Sequence, residues 1–207
     1  MDTLLRWRSQ TLNALTQMDS LAALALRLYL VPIFWMAGTQ KLAHFSDTVI
    51  WFGNAEWGLG LPLPGLMAFL ATATELIGAI LLALGLFTRA ITIPLMVTML
   101  VAIFAVHWDY GWQAIADAGA PFANERVLAA TEKLDRAQSL LREHGHYPWL
   151  TSSGKFVVLN NGIEFAATYL IMLLALLVWG PGRYFSLDDH LIRALTKRAR
   201  AHNKSVS

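Results

Sequence analysis

Five residues carry the chemistry this chain could perform: Lys41, Glu75, His107, Asn161 and Glu164. Carboxylates and ammonium groups hold and pass protons, and an imidazole titrates near neutrality. Each of the five lies in or beside an apolar run. There an ionisable side chain costs about 2.5–3.5 kcal/mol at the bilayer centre on insertion scales. Glu75 stands about nine residues, some 13 Å, from the near end of its run. Ala68, Ala71, Thr72, Gly78 and Ala79 surround it at helical spacing, and small residues let helices approach closely. Glu75 is either a proton-relaying carboxylate or a neutral acid that bonds helices together as structural glue. Lys41 either snorkels to the interface or bends inward toward a carboxylate. His107 ends its run as an interfacial structural residue or as a ligand. Asn161 and Glu164 have capping-box spacing, with Asn161 as N-cap, or else serve a site. His144-Gly145-His146 reads as a solvated loop, so no metal site is expected.

These residues must be held by membrane helices. Of 207 residues, 56% are hydrophobic and only 14% charged, about half the charge of an ordinary soluble domain. Four stretches are long enough to cross a bilayer, which takes about 20 mostly apolar residues: 21–41, 66–87, 90–108 and 162–179. The expected fold is all-α, a single domain over 1–207, built as an up-down bundle of four transmembrane helices. The first run is retained rather than cleaved, because it is long and contains Arg27. Pro64 suits the first turn of the second span, and Pro94 sits about one turn into the third. The net charge of +2 argues against nucleic-acid binding. Zero cysteines exclude disulfides, iron–sulfur clusters and dithiol chemistry. No strand-borne glycine fingerprint for flavin or nicotinamide occurs.

Lysine and arginine placement sets orientation. Arg6, Arg8, Arg27, Arg89 and the basic tail over 186–207 point to cytoplasmic termini, whereas the loop over 43–65 has neither residue type. Trp51, Trp57, Trp108, Trp112 and Trp149 then form an outer aromatic belt. In the outer loop, 109–161, residues Ala123 to His144 read as an amphipathic helix with Val127, Leu134 and Leu141 on one face. The tail has Leu191, Ile192 and Leu195 as an apolar side and suits anionic lipid, each basic residue contributing about 1 kcal/mol. In such a bundle Lys41, His107, Asn161 and Glu164 gather in the outer half above Glu75. The expectation is a polar pocket open to the outer face, with Glu75 and His107 as catalytic candidates and all five as ligand-binding candidates.

The motifs resemble those of the DoxX family. Gly38-Thr39-Gln40-Lys41-Leu42 resembles the end of that family's first span. Ala73-Thr74-Glu75-Leu76-Ile77-Gly78 and Leu84-Gly85-Leu86-Phe87-Thr88-Arg89 resemble its central pattern. Ala102 to His107, Asn161 to Glu164, Gly180-Pro181-Gly182-Arg183 and Ser186-Leu187-Asp188 are similar to its third span, fourth span and ending. The insert over 111–156 exceeds a minimal member. The resemblance implies a multi-pass protein of the bacterial inner membrane that partners redox systems, while distant relatives act as receptors or assembly chaperones. The expected function is an accessory subunit of a redox complex, with quinone as the expected cofactor and another redox or membrane protein as partner; a homo-oligomer is compatible with this. The alternative is a non-enzymatic scaffold. Solute transport is disfavoured, because no paired broken-helix signature appears.

Overall fold

The computed structural model describes the backbone of residues 2–206 and the side chains of residues 18–197. The side chains of Arg6, Arg8, Arg198, Arg200 and Lys204, counted toward orientation, lie outside the described residues. Among the described residues the structure is helical, and an isolated antiparallel bridge joins Ile115 to Leu159. The helices are α1 (Asp2–Ala43), α2 (Phe45–Gly53), α3 (Pro64–Leu84), α4 (Thr88–Val101), α5 (Glu125–His144), α6 (Tyr147–Leu150), α7 (Glu164–Trp179) and α8 (Leu187–Val206). The chain divides into two compact units, residues 1–98 with 170–207, and residues 99–169.

Among the described residues, three stretches are long and apolar enough to cross a membrane: Met18–Ala43, Pro64–Leu84 and Thr88–Tyr110. The third is not uniform. After α4 the backbone widens into a π-helical segment, Ala102–His107, and closes in a 3₁₀ turn, Trp108–Tyr110. The fourth expected span is the shorter α7 of 16 residues, about 24 Å long against a hydrocarbon core of about 30 Å. The first loop is not all loop either, since α2 occupies much of it.

The larger unit is organised by the packing of α1 on α3. In α1 the buried positions are Ser20, Ala23, Arg27, Leu30, Phe34 and Gly38, three or four residues apart, which is one helix face. In α3 they are Ala68, Thr72, Glu75, Gly78, Ala79 and Leu82, again one face. The opposite faces show Leu28, Trp35, Phe69, Leu70, Ile77 and Ile80 outward, as a lipid solvent permits. A Cβ on Gly38 would stand 2.8 Å from Leu76 Cγ, and one on Gly78 2.9 Å from Leu95 Cδ1. These glycines set how closely the helices approach. Pro64 fills the first turn of α3, and Gly85 at φ 61° ends it, with the Leu86 N–H reaching back to Leu81 O at 3.0 Å.

The smaller unit packs α5 through Val127, with Ala130, Thr131, Leu134, Gln138 and Leu141 partly covered. This is the face that the seven-residue spacing predicts. Asn124 caps the helix, its side-chain oxygen accepting from Val127 N–H at 3.0 Å.

Candidate functional site

Lys41 lies in the last turn of α1, where its charge complements the negative helix end. It bends inward. Its Nζ donates to Glu75 Oε1 at 2.8 Å and Oε2 at 2.7 Å, so of the two readings of Lys41 the carboxylate partner holds and snorkelling does not. The burial is unequal, with the Lys41 side chain 26% exposed and that of Glu75 5%. The carboxylate is sheltered by the helix pair while the ammonium stays partly exposed. Thr72, one turn before Glu75, commits its hydroxyl to Ala68 O at 2.7 Å. Small neighbours make this possible, since Ala68, Thr72, Gly78 and Ala79 are all buried beside Glu75.

His107, Asn161 and Glu164 belong to the smaller unit, which has its own polar lattice. His107 Nδ1 lies 2.8 Å from Asn161 O. A carbonyl only accepts, so Nδ1 carries the hydrogen and Nε2 is the acceptor in the neutral ring. The widened turn at Ala102–His107 is the backbone feature that carries this ring; such π-bulges often mark functional sites. The capping box does not form. Asn161 sits in the left-handed region at φ 61°, whereas an N-cap residue adopts an extended backbone. The amides it should have served are taken elsewhere: Gly162, Ile163 and Glu164 N–H donate to Gln113, Gly111 and Trp112 carbonyls at 2.9, 2.9 and 3.0 Å. Glu164 Oε2 instead accepts from Ala114 N–H at 2.9 Å. Gly162 is required here, because a Cβ would meet two of those carbonyl oxygens at 2.5 Å. Glu164 also lines a cavity of about 560 Å³ with Trp112, Gln113, Asp117, Phe122 and Phe165.

Sequence reasoning missed two buried polar centres. In the smaller unit, Asn160 is 2% exposed; its Nδ2 donates to Tyr110 O and Gln113 O at 2.9 and 2.8 Å, and its Oδ1 accepts from Arg126 Nε at 3.2 Å. In the larger unit, Arg27 is fully buried. Its guanidinium donates to Pro181 O at 3.2 Å and Phe185 O at 2.9 Å. It lies so close to Gly85 that no Cβ fits there. Asp188 faces this region and accepts from Phe87 and Thr88 N–H at 2.8 and 3.0 Å, capping α4 from a hundred residues away. Arg89 closes the set, donating to Val178 O at 2.9 Å. The signal for Arg27 was its place on the stripe Ser20-Ala23-Arg27-Leu30-Phe34, which charge counting alone ignores.

Residues 22–108 match the DoxX family model. The chain is 33% identical over 96 residues to "Inner membrane protein YphA" of Escherichia coli (strain K12), a match covering 46% of this chain and 64% of that protein. It is 33% identical over 86 residues to "Putative oxidoreductase CatD" of Bacillus subtilis (strain 168), covering 42% of this chain and 60% of that protein. The chain thus spans less than two thirds of the length of either relative. No solved structure matches it. Lys41, Glu75 and His107 fall inside the matched stretch; Asn161 and Glu164 fall outside it. With three apolar helices of spanning length, the chain is a multi-pass protein of the bacterial inner membrane.

Proposed function

We propose that this chain, a DoxX-type protein over residues 22–108, is an accessory membrane subunit of a redox complex, with Lys41 and Glu75 receiving a quinone-like head group. The observation that carries the reading is the two-pronged Lys41–Glu75 contact, sheltered at the carboxylate and partly open at the ammonium. An ammonium has three hydrogens. Two are given to Glu75, leaving one for a quinone carbonyl oxygen, which only accepts. Reduction of a quinone to a quinol adds two electrons and two protons, one proton to each oxygen. The electrons would come from a partner protein and the second oxygen's proton from water, while the chain's own part would be to orient one oxygen and supply its proton. Lys41 would give that proton, and Glu75 would stabilise the ammonium once water restores it. The name of the Bacillus relative points in the same direction.

In this reading α7 is a short fourth span, both termini are cytoplasmic, and α5 lies on the outer face. The test is to extract the purified protein with organic solvent and look for quinone, alongside quinone reduction in membranes with and without the gene. Quinone in the extract and reduced turnover on deletion are expected; absence of both from well-folded protein overturns the proposal.

A second reading is a scaffold without turnover. It is favoured by the exposed Leu128 and Leu140 of α5, 51% and 60% exposed, which offer apolar contacts to a partner. The two readings separate on Glu75→Gln. A scaffold keeps its partner and its phenotype, whereas a quinone-handling subunit keeps the partner and loses the activity.

A further inference from the structure

The last helix leaves an apolar stripe uncovered. In α8, Leu187, Leu191, Ile192 and Leu195 are 43%, 50%, 63% and 63% exposed, and Phe185 just before it is 83% exposed. The leucines recur every four residues, so they lie along one side of the helix.

The charges on this helix are strongly sorted. Its two acids, Asp188 and Asp189, are used within the protein. Asp188 caps α4 through Phe87 and Thr88 N–H, and Asp189 holds Arg193 at 2.7 Å. Beyond Arg193 the sequence has no acid and four basic residues, Lys197, Arg198, Arg200 and Lys204. The start of the helix is pinned to the turn between two apolar helices. Asp188 N–H donates to Gly85 O at 3.0 Å, and the Ser186 hydroxyl donates to the same carbonyl at 3.2 Å. Gly85 ends α3, and Thr88 begins α4, both in stretches of spanning length. The turn between two spans is where hydrocarbon gives way to head groups.

We propose that α8 is a lipid-docking helix that recognises anionic phospholipid in the leaflet where the α3–α4 turn emerges. A helix of this kind lies in the interface plane, its apolar side among the upper acyl chains and its basic residues against phosphates. The occupant is lipid rather than a second copy because the uncovered stripe runs into a sequence of basic residues without an acid and is tied to the end of two spans. This surface is separate from Lys41 and Glu75, and it holds whether or not the redox reading does.

The chain has no cysteine, so Leu195→Cys gives a single labelling position for an environment-sensitive nitrobenzoxadiazole dye. The labelled protein is placed in nanodiscs of phosphatidylcholine alone and of phosphatidylcholine mixed with phosphatidylglycerol. Blue-shifted emission, quenched by lipid-borne nitroxide, is expected in the anionic discs and is lost at high salt. Each neutralised basic residue should weaken docking about fivefold. Lys197→Gln, Arg198→Gln, Arg200→Gln and Lys204→Gln together should therefore return the dye to water. The unfolding temperature should hold, since Ser186 and Asp188, which tie the helix to the α3–α4 turn, stay in place. Equal emission in the two kinds of disc, or indifference to the four changes, overturns the proposal. So does a shift that appears in lipid-free detergent and grows with protein concentration, because that marks a second copy as the occupant.

Discussion

Among the described residues, helix α1 carries two cations, and they are treated in opposite ways. Arg27 and Lys41 are fourteen residues apart on one helix, about 21 Å. Arg27 is fully buried, and its hydrogen bonds go to the carbonyls of Pro181 and Phe185. Lys41 is a quarter exposed and holds both oxygens of a carboxylate. Backbone carbonyls cannot give up or take a proton under ordinary conditions, and guanidinium does not lose one. The Arg27 centre is therefore architecture, joining α1 to the turn that ends α3 and to the segment before α8. The Lys41–Glu75 pair joins two groups that can exchange a proton, and its ammonium is partly exposed, as the proposed function requires. Burial of charge alone does not mark a functional site. The nature of the partner and the remaining access do.

The largest effect should come from Arg27. Removing the guanidinium leaves the Pro181 and Phe185 carbonyls without their donor, about 1–3 kcal/mol for each, and empties a fully buried volume, so Arg27→Ala should sharply lower the unfolding temperature of the detergent-solubilised protein. Arg27→Lys should rescue little, because an ammonium does not reproduce a planar fork reaching two carbonyls. Next comes Gly85→Ala, which places a Cβ against the Arg27 guanidinium at a left-handed backbone position. A loss of about 2 kcal/mol is expected, read from the same unfolding curve. Lys41→Met leaves Glu75 unpaired and should also cost about 2 kcal/mol, less than a fully buried pair because Lys41 is partly exposed. Combining it with Glu75→Gln should recover most of that loss, since two neutral partners need no counter-charge. A double-mutant cycle on unfolding temperatures measures this. The smallest effect is Asp188→Asn, which keeps an acceptor for the α4 amides and loses charge. About 1 kcal/mol is expected. A larger loss would mean that Asp188 matters to Arg27 more than to the cap.

The α1–α3 pairing was legible because both helices show three-to-four spacing of small and apolar residues, and Glu75 sits on that spacing. The inward turn of Lys41 was visible only as one of two readings, since a terminal lysine beside a membrane has an easy alternative in water. Arg27 was read as a topology signal because its partners are backbone carbonyls, which every residue possesses and no sequence pattern advertises. The same reason hid the true role of Glu164. Its spacing from Asn161 matched a capping box, but the competing acceptors were main-chain groups of residues 111–113, fifty positions away. The length of α7 was overestimated because hydropathy continues through Gly162 and Ile163, whose amides are committed to that loop instead of a helix.

The most direct measurement compares thermal unfolding with and without a short-chain quinone in the parent and in the Lys41→Met, Glu75→Gln double variant. A ligand at a hundred times its dissociation constant stabilises by about 2.7 kcal/mol. The parent should gain stability, and the double variant, unfolding near the parent's temperature without ligand, should gain none. An equal gain in both proteins would contradict the assignment of Lys41 and Glu75 as the quinone site.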